Sequence, residues 1–128
     1  MAIIMGLAAV LAGVIHVFIF CMESLWWTTP AVRQRFHQTP EQAETTRLLA
    51  LNQGFYNLFL AAGVFGGLAL FVLGHERPGM VLISWSCLCM AAAAVVLAAS
   101  APGMRRGAVI QGAAPFLYLV LLAVHLSR

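Results

Sequence analysis

Two side chains able to carry a proton, His16 and Glu23, sit seven residues apart in the otherwise apolar run "GVIHVFIFCMESLWW". On an α-helix seven residues leave only about 20° between two directions. Both would share a face, where they could serve as acid and base on one bound molecule. A second apolar run contains "NQGFYN", which packs Asn52, Gln53, Tyr56 and Asn57 into six positions. A third, "QGAAPFLYL", brings Gln111 and Tyr118. Pro115 follows Gln111 by four residues and so deprives the Gln111 carbonyl of its usual helical hydrogen bond. Amides and phenols at such positions could orient a substrate oxygen. Left unsatisfied in hydrocarbon they would cost kilocalories, and an acidic group inside a span is by default a functional hypothesis.

The elements that must position these groups follow from composition. The chain has 128 residues, 62% hydrophobic and 9% charged, with a mean hydropathy of +0.94. A soluble domain of this size would need far more charge to cover its surface. Four apolar runs, about 3–27, 48–74, 80–101 and 108–126, each approach or exceed the roughly 20 residues that cross a bilayer. The expected fold is all-α: one domain, an integral-membrane four-helix bundle. No Lys or Arg precedes the first run and it is long for a signal peptide, so the first span is expected to stay in the mature protein.

All seven basic residues are arginines. Arg33, Arg35 and Arg47 fall in the first connection and Arg105 and Arg106 in the third, against Arg77 and Arg128 on the other side. This imbalance places the first and third connections in the cytoplasm and both termini on the extracytoplasmic side, as expected of a multi-pass protein of a bacterial inner membrane. The pI of about 9.1 follows from the same arginines. It points to anionic lipid at the inner face, with no nucleic-acid partner.

Within this frame, "TPEQ" reads as a helix start, with Thr39 as N-cap, Pro40 at the first helical position and Gln42 closing a capping box. Span two therefore begins near residue 40 and runs about 50 Å at 1.5 Å per residue, so its first turns project into the cytoplasm. Trp26 and Trp27 suit the headgroup layer. Entering from the cytoplasm, spans two and four place Asn52, Gln53, Tyr56, Asn57 and Gln111 in the inner half of the bilayer, the depth at which span one presents Glu23. The amides are expected to face the bundle interior, satisfied by Glu23, His16 and Gln111. Gly63 and Gly67 form a small-xxx-small pair suited to close helix packing. Cys21, Cys87 and Cys89 have neither CxxC nor metal-ligand spacing. They read as small buried hydrophobes, and no metal is expected.

"HVFIFCMESLWW", "NQGFYNLFLAAG" and "QGAAPFLYL" together resemble a family of small bacterial four-span membrane proteins characterised as a domain of unknown function. The resemblance covers nearly the whole chain, and its NQGxYNxFLA core is specific. It implies that His16, Glu23, Trp27, Asn52, Gln53, Gly54, Tyr56, Asn57, Gln111 and Pro115 stand at motif positions. It names no reaction.

Three functions compete. In the first, an intramembrane site for a small lipophilic molecule, in its stronger form an enzyme active site, uses Glu23 and His16 as catalytic acid or base. Its ligand-binding residues would be Asn52, Gln53, Tyr56, Asn57, Gln111, Trp27 and Tyr118. Small four-span enzymes acting on epoxides or lipophilic electrophiles have this general shape, a fold-level analogy only. A haem on His16 is the one cofactor considered, and a single intramembrane histidine is a thin basis for it. In the second, a small oligomeric transporter or proton-coupled carrier uses Glu23 and His16 as a relay. The absence of an internal repeat counts against this. In the third, a structural or accessory subunit uses the polar groups as interhelical glue, worth about 0.6 kcal/mol apiece. A homo-oligomer, dimer or trimer, is expected in the membrane because the Ala-rich third span and the Gly63/Gly67 stripe offer close-packing faces. The topology is checked with reporters. One fused after Arg128 should be active only outside and one inserted near Gln38 only in the cytoplasm, and the reverse pattern would move the polar groups to the outer leaflet.

Overall fold

A computed structural model describes residues 2–127 of the chain; Arg128, one of the two arginines expected on the outer side, lies outside the described residues. The elements are α1 (Ala2–Phe20), a single π-helical turn (Cys21–Leu25), α2 (Pro30–Arg35), α3 (Pro40–Val72), α4 (Glu76–Ser100), a 3₁₀ turn (Pro102–Met104) and α5 (Arg105–Leu126). There is no strand among the described residues. Four helical stretches, Ile3–Leu25, Pro40–Val72, Glu76–Ser100 and Pro102–Leu126, are long and apolar enough to cross a membrane. The chain is a helical bundle of the multi-pass membrane class.

Local chemistry fixes the helix ends. Thr39 Oγ1 accepts from the Gln42 amide at 3.2 Å and Gln42 Oε1 accepts from the Thr39 amide at 2.9 Å, while Pro40 occupies the position where a missing N–H costs nothing. This capping box starts the 33-residue α3, about 50 Å long at 1.5 Å per residue. α3 ends at Gly74, whose φ of +86° reverses the chain into α4.

The four long helices form a ring in the order α1, α3, α4, α5, with α1 and α4 facing each other across the middle and scarcely touching. Away from the end that carries Arg33, Arg35, Arg47, Arg105 and Arg106, the ring is closed. There Met5, Ala8, Ala9 and Ala12 of α1 meet Val64 of α3, Ile83, Cys87 and Met90 of α4, and Ala114 and Tyr118 of α5 in one apolar core. Small residues bring α3 and α4 almost into backbone contact. A Cβ on Gly67 would stand 2.8 Å from the Gly79 carbonyl oxygen, and one on Gly79 would stand 2.6 Å from that of Gly67. Gly63 faces Ser86 in the same way. All three cysteines are free thiols. Outward-facing Ile3, Leu49 and Val72 are strongly exposed, as hydrocarbon-facing residues must be.

At the arginine-rich end the ring opens into two pairs. α1 and its π turn stay against α3, where Gly54 meets Ser24 and Glu23, and α4 stays against α5, where Gly112 meets Ala94. The short α2 covers this end of α1 by burying Val32 against Ile19 and Met22, with Trp27 and Phe36 alongside. The Trp27 and Phe36 rings lie 4.9 Å apart, and the Trp27 indole donates to Thr46 Oγ1 at 3.2 Å, tying the loop to the first turns of α3. The chain leaves α2 through His37, which has a φ of +54°.

The glycine contact between α3 and α4 sets the closed end of the bundle. Gly79→Ala should lower stability by about 1–3 kcal/mol through backbone overpacking. Gly6→Ala, where an added Cβ meets nothing within 4 Å, should be neutral or slightly stabilising. Thermal melts of the two variants in one mild detergent make the comparison, and equal melting temperatures would contradict it.

Candidate functional site

The site begins with the π turn. The Trp26 amide reaches back five residues to the Cys21 carbonyl at 2.9 Å, widening the last turn of span one. Such turns interrupt regular helical register and recur at functional sites. Here the interruption has a direct consequence. His16 and Glu23 do not share a stripe, because the seven-residue argument assumes unbroken α-helix between them.

The turn is held against α3 by two features. Ser24 Oγ donates to the Leu51 carbonyl at 3.0 Å, and Gly54 offers no side chain, so Ser24 and the Glu23 Cβ lie directly on its backbone. This brings the Glu23 carboxylate to Asn57, whose Nδ2 donates to Glu23 Oε2 at 2.9 Å and to the Gln53 carbonyl at 3.1 Å. Both Asn57 donor hydrogens are thereby used. Its Oδ1, the second Glu23 oxygen and the side-chain amides of Gln53 and Gln111 take no hydrogen bond from the described residues.

Those open groups share a cavity of about 750 Å³ between the two helix pairs. Val14, Ile15, Phe18 and Ile19 of α1 form one apolar wall, and Ala93, Val96 and Leu97 of α4 with Gly107 and Ile110 of α5 form the other. Arg35, Phe36, Ser100 and Met104 line it at the arginine-rich end. The volume falls in the roughly 300–1,000 Å³ range of small-molecule pockets, and mostly apolar walls with a few convergent polar groups are the usual composition of such sites. Among the described residues no group of three His, Cys, Asp or Glu side chains converges. The polar side chains of the lining are three amides, one carboxylate, one guanidinium and the Ser100 hydroxyl, which donates to the Val96 carbonyl at 2.7 Å.

Four of the residues singled out from the sequence, Glu23, Gln53, Asn57 and Gln111, thus line one cavity. The others lie elsewhere. His16 is 1% exposed and directs Nδ1 at the Ala12 carbonyl of its own helix, 2.9 Å away, and it is not part of the cavity wall. Asn52 faces outward and donates to the Leu48 carbonyl at 2.8 Å, and Tyr56 is 63% exposed on the outer surface. The expected inward orientation of the amides therefore holds for Asn57 and fails for Asn52, because positions 52 and 57 point to different sides of α3. Trp27 is engaged with Thr46 and Phe36. Tyr118 is buried in the closed half, its hydroxyl 3.1 Å from Ser84 Oγ. With His125 it borders a separate cavity of about 180 Å³ at the opposite end, well away from Gln111.

In the sequence Arg35 counts only toward topology and Gly54 only as a motif position. A glycine inside a strongly helical pattern signals close approach of another backbone, and that signal was there to be read. The π turn left no mark in the apolar periodicity.

The chain belongs to a family described as "Protein of unknown function (DUF1304)", which matches residues 10–123. That range contains every residue of the cavity wall. No curated protein and no solved structure matches the chain.

The contact at Gly54 is testable by paired substitutions. Gly54→Ala should displace the π turn, break the Ser24–Leu51 bond and lower stability by about 1–2 kcal/mol. Ser24→Ala in the same chain removes the worst contact, so the double variant should melt above Gly54→Ala alone. A strictly additive loss in the double variant would argue against the close approach.

Proposed function

We propose that the chain forms an intramembrane binding site for a small lipophilic molecule bearing a polar group, with Glu23, Gln53, Asn57 and Gln111 as the residues that recognise that group. One observation carries this reading: polar side chains from α1's π turn, α3 and α5 meet in an apolar cavity with most of their hydrogen-bonding capacity unspent. If the groups served only to fix helix register, they would be expected to bond across helices to one another. Of the four, only Glu23 and Asn57 do so.

The Glu23 carboxylate is the group in this cavity able to exchange a proton with a bound molecule, and Asn57 orients it for that purpose. His16 is left with a packing role. The arginine imbalance supports an orientation with the cavity end inward, and so a site in the cytoplasmic half of a bacterial inner membrane. The carrier reading is the weaker one, since no observation adds a continuous path through the closed half of the bundle.

Substitution separates site from glue. An orphaned buried polar group costs about 1–3 kcal/mol, whereas one already facing a cavity costs little. Glu23→Gln, which keeps the shape and an oxygen for Asn57 to donate to, and Gln111→Leu, which removes an amide that bonds to no described residue, should therefore melt close to the parent protein. Both should lose the lipophilic molecule that native mass spectrometry finds retained after gentle extraction. Early melting of both variants with retention per folded molecule unchanged would refute the proposal.

A further inference from the structure

The cavity is graded along its length, and the gradient specifies a class of ligand. Its wall is purely apolar at Val14 and Ile15 of α1, the lining residues farthest from the arginine-rich end, whereas Ala93 and Gln111 lie level with the polar belt, as the Gly112–Ala94 contact shows. Glu23 lies nine positions along the chain from Val14, about 13 Å at 1.5 Å per residue, and stands in a middle belt with Asn57 and Gln53. Arg35 closes the series, carried by α2 over the mouth. α2 is fixed there because Val32 is buried on Ile19 and Met22, which tethers the exposed Arg35 at the edge of the cavity.

Arg35 is without a protein partner. Among the described residues the single ion pair is Arg47 with Glu44 at 3.3 Å, well outside the cavity, and Arg33 donates to the Thr28 carbonyl. Arg35 makes neither kind of contact. A cation of this type is suited to a carboxylate or phosphate, which it can grip through two parallel N–H donors. The open Glu23 oxygen in the belt below calls for the opposite chemistry, a hydrogen-bond donor.

Resting on the binding site proposed above, we infer that its ligand is a single-chain amphiphile with an anionic head and a hydroxyl or amide N–H near that head. The anion meets Arg35, the donor meets Glu23, and the chain lies along Phe18, Ile15 and Val14 toward the middle of the membrane. This order, charge outermost and chain innermost, matches that of an amphiphile already in the leaflet. The ligand can therefore reach the cavity without turning over.

The test uses the full-length protein in phosphatidylcholine nanodiscs and three radiolabelled probes with the same chain length. N-dodecanoylglycine carries the anion and the amide, its methyl ester keeps the amide without the charge, and dodecyltrimethylammonium reverses the charge. Binding to empty nanodiscs is subtracted. The parent protein should bind the acid about tenfold more tightly than the ester, one charge-assisted contact's worth, and the ammonium least. Arg35→Gln should bring acid and ester to parity, while Arg35→Lys and Arg47→Gln retain the preference. Melting curves confirm that each variant is folded. Equal binding of acid and ester by the parent, or a preference that survives Arg35→Gln, overturns the ligand class while leaving the site intact. Binding of all three probes that is no greater in the parent than in Asn57→Leu overturns the ligand class together with the site on which it rests.

Discussion

The arrangement at the arginine-rich end depends on how closely the π turn can lie on α3, and the missing side chain of Gly54 sets that distance. Ser24 and Glu23 rest on the glycine backbone, and only from there does the Glu23 carboxylate come within 2.9 Å of Asn57. A carboxylate in an apolar surrounding is expensive unless it is paired and hydrogen-bonded. One interhelical bond to an amide meets part of that need. The part it leaves open is the chemical opportunity of the site.

The same economy of small residues shapes the rest of the bundle. Gly67 and Gly79 draw α3 and α4 together, and Ala8, Ala9 and Ala12 let α1 lie close to its neighbours in the apolar core. Between lipid tails and apolar helices there is little hydrophobic drive to associate, so close van der Waals packing must hold the helices. That packing is concentrated in one half. The other half is held only within pairs, α1 with α3 and α4 with α5, and the space between the pairs is the cavity. A uniformly packed bundle would have had no room for one.

Much of this was legible in the chain. The four spans follow from hydropathy, and the start of α3 follows from Pro40 and from Thr39 and Gln42, whose two reciprocal hydrogen bonds are both present. The gathering of Glu23, Gln53, Asn57 and Gln111 could be anticipated by counting depth along each span. What depth could not supply was direction. Asn52 and Asn57 are five residues apart, about 500° of rotation at 100° per residue, which leaves them well off a common face. Asn52 satisfies itself on Leu48 instead. The pairing of His16 with Glu23 failed for a different reason, since a π turn replaces a single i→i+4 turn without altering the hydropathy of the residues in it. Arg35 was hidden by its own plausibility as a topology marker, and only the fold of α2 brings it over the cavity.

The central claim is that the parted half of the bundle is a ligand cavity whose polar groups are kept open. An experimental density map of the protein crystallised from a lipid phase tests this most directly. The expected result is helix pairs parted at the arginine-rich end, with non-protein density within hydrogen-bonding distance of Glu23 and Gln53 or Gln111. A map in which α1 and α3 close against α4 and α5, with Gln53, Asn57 and Gln111 hydrogen-bonded to one another, would contradict it.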